Sequence, residues 1–132
     1  MTKGGRKSLD DREADAIDDA AHADTIMFDD LRAGDVITAV TRNNEYRIEV
    51  VDVAAARVRV TGGKFFPEPT ETTFHGSGGP YGRGVFAGRI MLGYHLTFSH
   101  PVQPWNDVKL SRLRTVFLNG TRVLPLQDKL QQ

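Results

Sequence analysis

The amino-acid sequence predicts a mainly β fold: a small antiparallel β-barrel or sandwich of six to seven strands, with an acidic N-terminal arm that is partly helical or disordered. Three observations point there. From Phe86 to Phe98 every even position except Gly88 is large and apolar, the period of a strand with one buried face. Asn119-Gly120, the strongest turn dipeptide in the chain, separates two β-favouring runs. After residue 30 no long helical period appears, and short runs rich in Val, Ile, Thr and Phe recur between turn residues.

The arm comes first. Ser8 suits an N-cap, and Asp10, Asp11 and Glu13 suit the positive end of a helix. Ile17, Ala20, Ala21, Met27, Phe28 and Leu31 fall near a helical stripe, but the stripe is mostly alanine and Asp24 interrupts it. Such a helix frays in water unless Ile17, Met27 and Phe28 find apolar surface.

The body follows as strands. Leu31 to Asp35 reads as a tight turn, with Gly34 free to take a left-handed conformation. Val36–Arg42 and Glu45–Asp52 read as a hairpin around Asn43-Asn44, both of which tolerate the positive φ of a primed two-residue turn. Arg57–Thr61 is a third strand, ended by Gly62-Gly63. Phe65 to Pro69 reads as extended but not central, because each proline removes a ladder donor; Thr70–Phe74 then makes a short edge strand. His75 to Gly84 holds five glycines and reads as a mobile connection.

Val85 to Ser99 is the longest strand candidate, with a bend expected at Gly88 or Gly93. Its register predicts that Phe86, Ile90, Leu92, Tyr94, Leu96 and Phe98 are buried, and Arg89 and His95 exposed. Lys109–Leu118 and Thr121–Leu126 form the last hairpin, with Leu113, Phe117 and Val123 inward. The expected organisation is an arm over 1–30, a β domain over 31–127 and a polar tail over 128–132.

Charge divides along the same line. Residues 1–30 hold nine acids and four bases, and residues 31–132 hold thirteen bases and eight acids. A neutral total therefore conceals an arm of −5 and a body of +5. The absence of cysteine excludes disulfide scaffolds, Cys-zinc sites and thiol catalysis. The basic N-terminus runs into acids where a signal peptide needs apolar residues, and the uncharged run Ile90–Asn106 is too polar to span a bilayer. A cytoplasmic protein with no membrane contact is the expectation.

Catalytic and cofactor signatures do not assemble. The glycine-rich segment lacks a P-loop's Lys-Ser/Thr and precedes a strand rather than a helix. Ser77 lacks the Gly at position 75 of a nucleophile elbow. His95 and His100 differ in parity and face opposite ways on a continuous strand, so no metal site is expected. No cofactor and no catalytic residue are assigned.

The arginines carry the positive reading. Arg57-Val58-Arg59 and Arg112-Leu113-Arg114 each put two guanidiniums on one strand face, and Arg47 shares its face with Glu49. If the strands are neighbours, Arg47, Arg57, Arg59, Arg112 and Arg114 form one anion-binding surface of forked donors. His75, Tyr81, Arg83 and Trp105 are partner-contact candidates on loops, and one of Phe65 and Phe66 is an expected exposed aromatic. The sequence thus favours a non-catalytic binding module for an anionic partner, a nucleic acid or an acidic protein segment, with the acidic arm tuning access. The alternatives are a structural subunit that forms a homo-oligomer, and a small enzyme using loop 75–84. No motif is specific enough to indicate a family.

Overall fold

The computed structural model describes residues 24–79 and 84–125. Ten strands run through them: β1 (Thr25–Met27), β2 (Val36–Thr41), β3 (Glu45–Asp52), β4 (Arg57–Gly62), β5 (Phe66–Gly78), β6 (Val85–Ala87), β7 (Arg89–Met91), β8 (His95–Ser99), β9 (Asp107–Leu118) and β10 (Thr121–Leu124). Six of these close a ring by antiparallel pairing in the order β2, β3, β4, β5, β8, β9 and back to β2. β10 adds to β9 and β6 to β5, while β1 and β7 form a separate two-stranded sheet. The fold is mainly β, and no helix among the described residues is long and apolar enough to cross a membrane.

Alternation sets the interior of the ring. In β2 to β4 every second residue turns inward, giving Ile37, Ala39, Tyr46, Ile48, Val50, Val58 and Val60 as core. The other half contributes aromatics. Phe74 packs on Phe98 with ring centroids 5.5 Å apart, Phe66 on Phe98 at 5.9 Å, and Phe28 on Phe74 at 5.3 Å. Tilted and edge-on pairs of this kind add about 0.5–1.5 kcal/mol each beyond their area.

Phe28 and Leu31 belong to this core. Residues 1–23 of the acidic arm, and with them Ile17, lie outside the described residues. Asp24 to Asp30 form no α-helix: β1 leads into a 3-10 turn over Phe28–Asp30, and the Phe28 amide donates to the Gly88 carbonyl at 2.8 Å. The polar tail 128–132 also lies outside the described residues.

Several expected elements differ. The Val85–Ser99 strand is three strands, broken at both candidate glycines, where Gly88 has φ +67° and Gly93 φ +83°. A left-handed residue turns the chain out of the pleat, so parity is lost at each break. Met91 and Thr97, of the supposedly outer set, are buried; Phe86 and Leu92 are only half-buried; Arg89 and His95 are half-buried rather than exposed. Ile90, Tyr94, Leu96 and Phe98 are buried as expected.

The proline segment and the supposed edge strand are both part of β5. Pairing to β4 steps from Val60↔Thr70 to Gly62↔Phe66, so Pro67, Glu68 and Pro69 fall in an irregularity where the ladder asks for no donor. Thr70–Phe74 is central, not edge. His75–Gly78 extends the same strand rather than forming a connection, and residues 80–83 of the glycine-rich segment lie outside the described residues.

At Asn119-Gly120 both residues have positive φ, +51° and +89°, as a primed turn requires. Neither Asn43 nor Asn44 does; there Thr41 Oγ1 accepts from the Asn44 amide at 3.3 Å and closes a different turn. In the last hairpin Leu113 is buried, but Phe117 and Val123 are half-buried, and Val116 and Leu124 take the inward places.

Candidate anion-binding face on β9

The two Arg-x-Arg pairs lie on β4 and β9, which are three strands apart whichever way the ring is followed. They cannot share one surface. Their surroundings differ as much as their positions.

β4 is flanked by strands that carry acids. Glu49 of β3 and Glu71 of β5 lie in register on either side of Arg59. Arg59 reaches both, at 3.1 Å to Glu49 and 3.3 Å to Glu71; Arg57 reaches Glu71 at 3.4 Å and Thr73 Oγ1 at 3.1 Å. Arg47 completes the lattice at 3.7 Å from Glu49. These three guanidiniums already hold carboxylates.

β9 is flanked by β8 and β2, and neither strand contains an acidic residue. Arg112 and Arg114 are exposed, and among the described residues they form no ion pair. Lys109 stands on the same outer side. Its Nζ lies 3.4 Å, and Thr97 Oγ1 3.5 Å, from where a Cβ on Gly78 would be, so the bare glycine of β5 makes room for the lysine stem that crosses β8. His95 is opposite Arg112 in register, and its Nδ1 lies 2.8 Å from the Leu110 carbonyl. A carbonyl only accepts, so Nδ1 carries the proton and Nε2 is the nitrogen left for another partner.

Lys109 escaped sequence reasoning because β9 changes parity twice. Pairing to β8 jumps from Thr97↔Lys109 to His95↔Arg112, and pairing to β2 from Thr41↔Leu113 to Val40↔Thr115. Each bulge inserts one residue and moves the following side chains to the other face. Lys109, Arg112 and Arg114 therefore share the outside despite mixed parity. The signal is the absence of acids in β2 and β8, and it becomes readable only once the strand order is known.

The β8–β9 connection, residues 100–106, caps this face. Amides of Val102 and Gln103 both donate to His100 Nδ1 at 3.1 Å, His100 N–H donates to the Asn106 carbonyl at 2.8 Å, and Asn106 is tied to Gln103 by backbone and side chain, each at 2.8 Å. The loop so fixed leaves Trp105 77% and Val102 76% exposed. Phe65, 43% exposed, packs edge-on to His100 at 5.7 Å, with the Lys64 ammonium 5.5 Å from its ring centre. Phe66 is fully buried.

The remaining candidates are placed as follows. His75 Nε2 is 2.9 Å from Ser99 Oγ and 3.8 Å from Asp107 Oδ1. Both contacts fall on one nitrogen, whereas a hydrolytic triad needs the serine and the carboxylate on opposite nitrogens. Ser77 is wholly buried; its hydroxyl donates to the Arg89 carbonyl at 2.8 Å and accepts from the Met91 amide at 3.1 Å. A nucleophile sealed between strands is out of a substrate's reach. His95 and His100 lie on a strand face and in a loop, each ring engaged with backbone, and among the described residues no three His, Asp or Glu side chains converge. Tyr81 and Arg83 lie outside the described residues. An interior void is lined by Phe28, Ile37, Ile48, Phe74, Ile90 and Leu96, all apolar. No protein-family model, curated protein or solved structure matches the chain.

Proposed function

We propose that the chain is a non-catalytic binding module, a small β-barrel that holds an anionic polymer against the outer face of β9. The observation that carries this reading is the contrast between two similar arginine pairs. Arg57 and Arg59 are neutralised by Glu49 and Glu71, whereas Arg112 and Arg114, with Lys109, stand between two strands without acids. An unpaired guanidinium presents a planar fork that fits phosphate or carboxylate, and it keeps that capacity only where no neighbouring carboxylate has taken it. The anionic partner expected from the sequence is kept, and the surface is narrowed from five arginines to Arg112 and Arg114.

The assembly reading draws on open strand edges and on apolar residues of the arm; ring closure removes the edges of six strands, leaving among the described residues the short β6 and β10 and the β1–β7 pair. The enzyme reading draws on loop 75–84 with His75, Ser77 or His95; His75 contacts Ser99 Oγ, Ser77 bridges the Arg89 carbonyl and the Met91 amide, and His95 Nδ1 meets the Leu110 carbonyl.

Heparin, a polyanion with no bases, tests the module directly. The full chain should bind it at about 50 mM salt and lose most of that affinity by about 200 mM, as counterion release requires. Absence of binding at the lower salt would overturn the reading. Lys109→Gln should weaken binding and flatten its salt dependence, because one fewer counterion is released.

A further inference from the structure

We infer that the polymer held by β9 is a single-stranded nucleic acid, with bases stacking on Trp105 and phosphates running along Lys109, Arg112 and Arg114. This rests on the anion-binding reading above and adds the class of partner. A row of cations alone suits any polyanion, including a duplex or an acidic peptide. What selects among them is the tip of the same hairpin.

Trp105 is four residues from Lys109, on the loop that leads directly into β9. At 77% exposed, its ring presents a flat face on which a base can stack. The loop is not loose: five hydrogen bonds fix its course, two of them converging on His100 Nδ1. A locked backbone that holds its aromatic outward loses little entropy when a ligand settles on the ring. Phe65, packed against His100 with Lys64 beside it, extends the aromatic and cationic surface at this end.

The charge pattern continues the argument. The three connections at this end, residues 42–44, 63–65 and 100–106, contain Arg42 and Lys64; the acids beside them are Glu45 and Asp107, which begin β3 and β9, and Asp107 lies 3.8 Å from His75 Nε2. Lys109 to Arg114 spans on the order of 15 Å at strand rise, shortened by the bulge, and runs down from the aromatic tip. Aromatic platforms joined to a positive track are how proteins hold unpaired strands without reading sequence. In a duplex the bases are already stacked on one another and offer Trp105 no face. An acidic peptide offers charge and no flat ring.

Trp105 is the chain's single tryptophan, so its fluorescence reports on this site alone. The full-length protein is titrated at low salt with oligothymidylate, with the same strand paired to oligoadenylate, and with polyglutamate. Oligothymidylate should quench Trp105 and bind at least about tenfold more tightly than either other probe. Its log affinity should fall with log salt at a slope of about −2, from three phosphate contacts at −0.7 each. Trp105→Ala should weaken oligothymidylate binding by about 5- to 100-fold, the range of one base stack, and Trp105→Phe should restore most of it. Equal binding of the duplex or of polyglutamate, or a Trp105→Ala variant with unchanged affinity for oligothymidylate, would overturn the single-strand inference and leave the anion-binding face standing. Failure of all three probes to bind at low salt would remove both.

Discussion

The Ser77 hydroxyl sits where β5 meets β7, in a place closed to solvent, with the Arg89 carbonyl as acceptor and the Met91 amide as donor. Ser77→Ala deprives a buried N–H of its acceptor and should cost about 1–3 kcal/mol in chemical denaturation, with heparin affinity unchanged. Asp35 is the surface counterpart. It accepts from the Arg32 amide at 2.9 Å and from Asn119 Nδ2 at 3.1 Å, and these bonds hold its carboxyl below the usual carboxylate range. A folded pKa below the unfolded one gives stability that is present above the unfolded pKa and is lost as pH falls through the folded one. Asp35→Asn should therefore differ from the natural protein at neutral pH, and the difference should close as acid protonates Asp35. A gap in denaturation midpoint that stays constant into strong acid would contradict this. Leu96 and Leu92 make a third comparison. Leu96→Ala in the closed interior should cost about 2–5 kcal/mol, and Leu92→Ala at its half-buried place clearly less.

At the level of elements, period-two patterning is readable where the pleat is unbroken and misleads where it is not. β2, β3 and β4 follow their alternation up to the irregularities at Val50/Asp52 and Val60/Gly62, and the Asn119-Gly120 turn forms as its dipeptide demands. From Val85 to Ser99 the same rule fails, because two left-handed glycines cut one apparent strand into three and return Ile90, Leu96 and Phe98 to the core by separate routes. β9 hides its face in the opposite manner. Two bulges bring residues of mixed parity to one side, so Lys109 looks unrelated to Arg112 until pairing partners are known. Bulges follow from register against a neighbour, and a single strand's sequence does not contain its neighbour. Pro67 and Pro69 teach the same point: they argue against a central strand, and they occupy the irregularity in the pairing of β5 with β4.

For the whole molecule, ring closure decides what the arginines can do. Both Arg-x-Arg motifs are legible in the sequence, and the distance between them is not, since the order of six strands depends on which edges meet. Closure sets β4 between acid-bearing β3 and β5, and β9 between acid-free β2 and β8. Two similar motifs thereby become an ion-pair lattice on one side and, among the described residues, a row of cations without ion pairs on the other. Around exposed groups such pairs add little to stability, about 0–1 kcal/mol each, so their main consequence is for binding.

That consequence can be measured with two double variants of matched charge, Arg57→Gln with Arg59→Gln and Arg112→Gln with Arg114→Gln, assayed side by side for oligothymidylate and heparin affinity at low salt. Each removes two positive charges from the same protein, so general electrostatics change equally. The β9 pair should lose affinity for both polymers by about tenfold or more, while the β4 pair keeps it within about twofold. Equal losses from the two pairs, or a larger loss from the β4 pair, would contradict the account.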